Sequence, residues 1–310
     1  MAVATKNATA TRRSAPVKAR KSNAVIGAVT LSHPDRVYWE DARVTKRDLA
    51  EFYEQVWKWM RPHVIGRPIA LLRCPEGAVG ECFFQKHASA GIATEHLHLV
   101  AEKGDKIISI DDLDGLISLV QGGVLEIHTR GSTIDDRERA DRLVFDLDPG
   151  PGTGTGWSDV IAAAREIRER LAALKLKSFV KTTGGKGLHV VLPIRPTPWT
   201  VAKDFAHAVA ATMAKESPAR YTATATKSKR NNPIFVDYLR NSREATAVAP
   251  YSTRARPGAP VSTPVGWSEL GSLKGANQYT VKNLAQRLAR LRRDPWANIG
   301  QLRQTLPKLK

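Results

Sequence analysis

A mixed α/β fold, with sheet flanked by helices, is what the sequence predicts. Three observations carry that expectation. Apolar residues recur at helical spacing in several stretches, the clearest being Val160, Ala164, Ile167, Leu171 and Leu174. Short apolar or β-branched runs bounded by Gly, Pro or charge alternate with those stretches. No internal repeat or heptad run is visible.

The elements follow in chain order. Residues 1–24 carry Lys6, Arg12, Arg13, Lys18, Arg20 and Lys21, no acid and almost nothing large and apolar, so they read as a disordered basic tail. That composition also suits an organelle transit peptide, but a solvated arm touching nucleic acid needs fewer assumptions. Thr45 followed by Asp48 reads as a helix cap, and Leu49, Phe52, Tyr53, Val56 and Met60 place a helix at about 45–60. Strands are expected at 69–72, 97–100 and 107–110, then a helix capped by Asp111 or Asp112 through Gln121, and a strand over Val124–His128. Leu143–Asp148 is the next strand, and Ser158 is the expected cap of the helix carrying the apolar stripe. Strands at 178–181 and 188–194, a helix at 200–215, strands at 234–239 and 245–249 and a helix at 280–293 complete the series. The Pro/Gly-rich stretch 256–266 reads as a long loop, and 301–310 as a basic C-terminal tail.

With 48 Lys+Arg against 30 Asp+Glu, the 310-residue chain carries a formal charge of +18, a field that recruits polyanions. Nucleic acid heads the expected partners. Hydrophobic residues at 42% and charged residues at 25% describe an ordinary globular protein. Cys74 and Cys82 are too few for a secreted disulfide framework and read as reduced intracellular thiols. With no apolar run long enough to span a membrane and no secretory signal, a cytosolic or nucleoid location is expected.

In Leu143-Val144-Phe145-Asp146-Leu147-Asp148, strand alternation puts Phe145 and Leu147 on one face and Asp146 and Asp148 on the other. Paired carboxylates repel unless solvated at a strand end, here beside Pro149-Gly150-Pro151-Gly152, or bridged by a hard divalent cation such as Mg²⁺ or Mn²⁺. Asp237, inside Ile234–Leu239, adds a third strand-borne acid and tips the reading toward a metal cradle, although a salt bridge to Arg240 or Arg243 would also explain it. Lys181-Thr182-Thr183-Gly184-Gly185-Lys186-Gly187-Leu188-His189 suits a phosphate-holding loop or a plain Gly-rich hairpin, and matches neither the Walker nor the dinucleotide fingerprint. Arg254 and Arg256 project from a segment between Pro250 and Pro257, a setting for bidentate phosphate contacts or for ordinary surface arginines. Phe83 and Phe84, next to Lys86 and His87, offer a base-stacking platform, or one ring for the core. Cys74, Cys82 and His87 lack zinc-site spacing.

The blocks LVFDLDPGPG, SFVKTTGGKGLHVVLPI, FVDYLRN and ATAVAPYSTRARPGAPVSTP, with RCPEG, GECFFQKH and VLEIHT upstream, resemble the polymerase domain of bacterial DNA ligase D over about residues 28–297. That family belongs to the archaeo-eukaryotic primase superfamily and acts in non-homologous end joining. The resemblance implies a primase-like core with a mixed sheet flanked by helices over 126–300 and a smaller N-terminal β/α region, 25–125, that grips DNA. It implies two catalytic metals, usually Mn²⁺ and otherwise Mg²⁺, on Asp146, Asp148 and Asp237. Thr183, Lys186, His189 and Arg254 would contact the triphosphate of a nucleoside triphosphate, with His128 beside the nucleotide. Arg36 and Lys46 fall on the family's pocket for a DNA 5′-phosphate, and Phe83 and Phe84 on its aromatic pair at the template side of a gap. Lys46 lies in the first turn of the helix capped by Thr45, where backbone N–H groups already favour an anion. Thr183 replaces a common Ser and keeps the hydroxyl, whereas Arg130 stands where an aromatic is frequent, and its role stays open. The Lys-x-Asp-Gly motif of a full ligase is absent, so a stand-alone or excised polymerase is expected.

The resulting expectation is a template-dependent primase-like nucleotidyltransferase that fills gaps and extends 3′ ends of broken DNA. Ribonucleotides would be preferred, and ligase and a Ku-type end-binding protein would be partners. A two-metal nuclease shares the acids without needing a triphosphate pocket, and a basic DNA-binding module with a dead site shares the charge.

Overall fold

The computed structural model describes residues 23–89, 91–149, 155–226 and 233–308. Most of the expected basic tail and the Gly150–Gly152 turn therefore lie outside the described residues. Ala24, assigned to that tail, begins the first strand.

Two six-stranded sheets organise the chain. The first half begins with β1 (Ala24–Ile26), β2 (Val29–Leu31), β3 (Val37–Trp39), β4 (Val44–Thr45) and α1 (Lys46–Val64). It continues with β5 (Ile69–Arg73), β6 (Phe83–Gln85), β7 (His98–Glu102), β8 (Asp105–Ser109), α2 (Leu113–Gln121) and β9 (Val124–Arg130). The second half contains β10 (Arg139–Asp148), α3 (Trp157–Ala173), β11 (Phe179–Thr182), β12 (Leu188–Pro198), α4 (Trp199–Glu216), β13 (Tyr221–Thr222), β14 (Ile234–Asp237), β15 (Thr246–Val248), β16 (Pro264–Val265) and α5 (Leu284–Arg290).

The first sheet runs β15-β9-β5-β8-β7, with β6 also paired to β5. The second runs β13-β14-β10-β12-β11-β16 and is mixed, since β13 and β14 are parallel. Strand β9 is central to the first sheet and β15 is recruited to it from far along the chain, so residue 125 is not a structural boundary. One core fills the space between the first sheet, α1 and α2, with Leu284 and Leu288 of α5; a second lies between the other sheet, α3 and α4.

Local chemistry explains most elements. Thr45 and Asp48 form the expected capping box of α1, and Leu49, Phe52, Tyr53, Val56 and Met60 are buried on one stripe. Asp112 caps α2. The cap of α3 is Gly156 rather than Ser158, because the Asp159 carboxylate reaches back to the Gly156 N–H at 2.8 Å. Strand β14 stops at Asp237, whose Oδ1 takes the Leu239 N–H at 2.8 Å and starts a 3-10 turn. The final helix is shorter than its apolar spacing suggests, since Asn283 Oδ1 accepts from Thr280 N and holds that segment in a turn.

Three expectations are corrected. The stretch 256–266 is not all loop: Pro264 and Val265 form the edge strand β16, where a residue without an N–H is tolerated. Cys74 and Cys82 are not free thiols but a disulfide. The register of the β5–β6 hairpin sets Arg73 opposite Phe83, which leaves the two cysteines as the next facing pair, with Cα atoms 4.4 Å apart. Nor do residues 302–308 hang free, because Gln304 bonds Lys177, Pro193 and Arg195, and Leu306 packs on the second core. Among the described residues no helix is long and apolar enough to cross a membrane.

Candidate active site

Strand alternation does to Leu143–Asp148 what the sequence suggests. Phe145 and Leu147 are fully buried against the helices, and the intervening acids face the cleft between the two sheets. The antiparallel register sets Asp146 directly opposite Asp237 on one side and His189 on the other. Asp237, some ninety residues away in sequence, is thus brought beside the Asp146 and Asp148 strand.

Arg240 bridges two of them, its Nε 3.1 Å from Asp146 and 3.4 Å from Asp237, and His189 Nε2 lies 3.3 Å from Asp146. Burial opposes ionisation of Asp146, but His189, Arg240 and the nearby Lys181 outweigh it and hold the carboxyl well below the usual range. His189 itself is pushed down to about 4 by burial and then by Lys181, so it is neutral at pH 7, with Nε2–H directed at the carboxylate. Asp148 stands at the cavity mouth with one side open to solvent. Partial burial and the charge of Asp146 both push its carboxyl upward, to an extent that the open side limits.

Opposite the acids is a basic wall. The Thr183 hydroxyl accepts from the N–H groups of Gly185 and Gly187 and donates to the Gly187 carbonyl, closing the loop between β11 and β12. Gly184 adopts φ +68°, which favours glycine, and a Cβ on Gly187 would collide with Leu147 O and Asp148 Oδ1. Gly187 lets the loop lie against the acid strand, Gly184 lets it pass close to Arg254 and Ser262, and Lys186 is left exposed over the cavity. Arg254 enters from the segment after β15, on the side of the first sheet, with Nε 2.9 Å from Glu126 and Nη1 2.6 Å from the Thr183 carbonyl. Arg256 lines the same cavity, whose volume is about 290 Å³.

Glu126 organises that wall, and the sequence reading passed over it. Buried on β9, it takes the His128 ring nitrogen at 2.8 Å, Arg254 at 2.9 Å and the Ala255 N–H at 2.9 Å. The signal was legible, because Glu126 and His128 alternate onto one strand face. Burial opposes ionisation of Glu126, yet these three donors keep its pKa depressed. His128 is also held down, mainly by its burial.

Remaining candidates lie on the first half. Phe83 and Phe84 are 44% and 61% exposed, so neither ring is a core residue; Phe84 meets His128 edge-on at 5.3 Å. Arg36 and Lys46 are neighbours, the Lys46 N–H bonding the Arg36 carbonyl at 2.8 Å. Arg36 contacts Pro75 O and Glu76, while the buried Lys46 ammonium donates to Ser32 O and Gln121 and is lowered to about 8, chiefly by burial and then by Arg36. Arg130 is held 3.0 Å from Glu102, and Arg137 and Arg243 share that carboxylate, so the residue whose role was open belongs to an ion-pair network. Among the described residues Arg243 therefore pairs with Glu102, Glu138 and Glu244, and Arg240 is the arginine that pairs the acids.

Asp146 and Asp148 line the cavity opposite phosphate-type donors, and Asp237 reaches the pair only as the cross-strand partner of Asp146; acids facing such donors are the arrangement of a nucleotidyl-transfer site. The family model for the LigD primase-polymerase domain matches residues 45–296. The multifunctional non-homologous end joining protein LigD of Pseudomonas aeruginosa is 40% identical over 292 residues, covering 92% of this chain and 34% of that protein. The corresponding protein of Mycobacterium tuberculosis is 34% identical over 274 residues, covering 84% of this chain and 36% of that protein. The solved polymerase domain of Mycobacterium tuberculosis ligase D, in complex with DNA, superposes with a TM-score of 0.76 at 32% identity, covering 84% of this chain and 94% of that one. This chain belongs to the LigD primase-polymerase domain family, whose members are DNA-directed nucleotidyltransferases. It spans about a third of the length of the LigD proteins it matches.

Proposed function

We propose that this chain adds nucleotides to the 3′ end of a DNA strand under direction of a template, filling gaps during end joining of double-strand breaks. The observation that carries the reading is the strand register that sets Asp146 against Asp237, with Asp148 two residues on, across a cavity from Lys186, Arg254 and Arg256.

The donor set suits hard divalent cations, since Asp237 lies across the strands from Asp146, and Asp148, pushed upward by burial and then by Asp146, gains from a neighbouring cation. Asp146, Asp148 and Asp237 would hold two ions, Mn²⁺ or Mg²⁺. Bound there, such ions supply Lewis acidity for attack of a 3′-hydroxyl on the α-phosphate and for departure of pyrophosphate.

The chain's own residues do the rest. Lys186, Arg254 and Arg256 hold the triphosphate and take up charge as pyrophosphate leaves. Gly185 and Gly187, pinned by Thr183, keep the loop close enough for those contacts. His189 orients the Asp146 carboxylate through Nε2–H, and Glu126 fixes Arg254 and His128 beside the nucleotide. The exposed Phe83 and Phe84 stack template-side bases, and Arg36 with Lys46 receives a 5′-phosphate across the gap. By the family resemblance ribonucleotides are preferred, and ligase and a Ku-type protein are partners.

The test is incubation of a labelled, gapped primer-template with Mn²⁺ and ribo- or deoxyribonucleoside triphosphates. Elongation that is faster with ribonucleotides supports the reading. Shortening of the label would favour a nuclease, and binding without incorporation an inactive DNA-binding module.

A further inference from the structure

A second cavity of about 320 Å³ shares no lining residue with the candidate active site. It is walled by the end of α1, by Asp141 and Arg142 of β10, and by the segment from Asp294 to Arg303. Two buried side chains lining it have ring or guanidinium nitrogens with no hydrogen-bond partner among the described residues. Arg142 is 8% exposed, and its guanidinium makes no hydrogen bond or ion pair among the described residues. His63 is 1% exposed and packs against the Tyr251 and Trp296 rings, but neither ring nitrogen has a hydrogen-bond partner among the described residues.

The charged groups facing this space are Arg67, Arg142, Arg303, Asp141 and Asp294. Asp141 is committed, its two oxygens taking Arg67 at 2.8 and 2.7 Å. Asp294 accepts the Trp296 N–H at 2.8 Å, and burial pushes its carboxyl up, toward the neutral form. Burial and then Arg142, Arg67 and Lys181 keep His63 neutral. Arg142 is therefore a buried cation whose nearest acid is already bound to another arginine. Such a charge is costly to keep unless a ligand compensates it.

We infer that this cavity is an anion site that takes a phosphate-class oxyanion, with the Arg142 guanidinium as its anchor, a His63 ring N–H as a second donor and Arg303 at its rim. A planar guanidinium fork matches two oxygens of a phosphate group. The same chemistry comes from free phosphate or pyrophosphate, or from the terminal phosphate of a nucleic-acid end.

Thermal unfolding of the whole chain, with a non-hydrolysable nucleoside triphosphate saturating the candidate active site, tests this against inorganic phosphate, pyrophosphate and the dinucleotides pTpT and TpT. Chloride matches ionic strength. Phosphate is expected to raise Tm, and Arg142→Met to raise Tm without phosphate and to abolish the phosphate response. Arg303→Met, an exposed change, is expected to weaken apparent phosphate affinity by about tenfold, the loss of one charge-assisted bond. Saturation by phosphate or pyrophosphate assigns the free ion; stabilisation by pTpT but not TpT, at lower concentration than phosphate, assigns a nucleic-acid end. No shift beyond chloride, or a response unchanged in Arg142→Met, overturns the site. If Arg142→Met does not fold, an unchanged response in Arg303→Met overturns it.

Discussion

Glu126→Gln isolates the residue that joins the two halves of the nucleotide wall. The substitution keeps the volume and one acceptor oxygen but puts an NH₂ group among three donors: His128, Arg254 and the Ala255 N–H. At least one bond to a charged group is lost, worth about 1.5–3 kcal/mol, and Arg254 loses its counter-charge. Both side chains are largely shielded, at 4% and 14% exposure, so the expected cost approaches the ~3–5 kcal/mol of a broken buried pair. That corresponds to a fall in Tm of roughly 6–20 °C, the lower end being apt for a chain of this size. Because the folded-state pKa of Glu126 is depressed, its contribution is fully present above the ordinary glutamate range and fades as pH falls through the folded value. The gap between parent and variant should therefore hold steady from neutral pH down to about 4.5 and close below it. Thermal unfolding across that range, with nucleotide KM at pH 7.5, is the assay, and KM should rise as Arg254 loses its position. A Tm within a degree of the parent at neutral pH, together with an unchanged KM, would refute the argument.

Asp146→Ala or Asp237→Ala should abolish incorporation on a primer-template while the far-ultraviolet circular dichroism stays that of the parent; residual extension by either variant would remove the metal-cradle assignment. With the Asp148 carboxyl pushed upward, protons compete with the cation at higher pH than for an ordinary aspartate. The acid limb of kcat/KM should therefore lie above the usual carboxylate range and move to higher total metal demand as pH falls; a limb at ordinary aspartate pH would count against it. A gapped substrate with a 5′-phosphate should bind more tightly than its 5′-hydroxyl counterpart, and Arg36→Ala with Lys46→Ala should erase that difference while general, salt-sensitive affinity survives. Equal anisotropy titrations for both ends with the parent protein would exclude the pocket.

Much of this molecule was determined locally. The period-2 run Leu143–Asp148 had to bury Phe145 and Leu147 and turn its acids outward, the Thr45–Asp48 box had to start a helix, and the motif blocks fixed the family, because each depends on residues adjacent in the chain. Tertiary structure decided what depends on register and on distant partners. The pairing of β10 with β14 set Asp146 against Asp237, and the recruitment of β15 to β9 brought Arg254 onto Glu126. The same kind of fact turned Cys74 and Cys82 into a disulfide, confined Arg130 to an ion-pair network, drew Pro264 into a sheet edge and left Arg142 buried with no ion pair among the described residues, its neighbour Asp141 being bound to Arg67. Periodicity specifies which face a side chain takes. Only the closing of non-local strand pairs, at an entropic cost no local pattern encodes, specifies which other side chain it meets there.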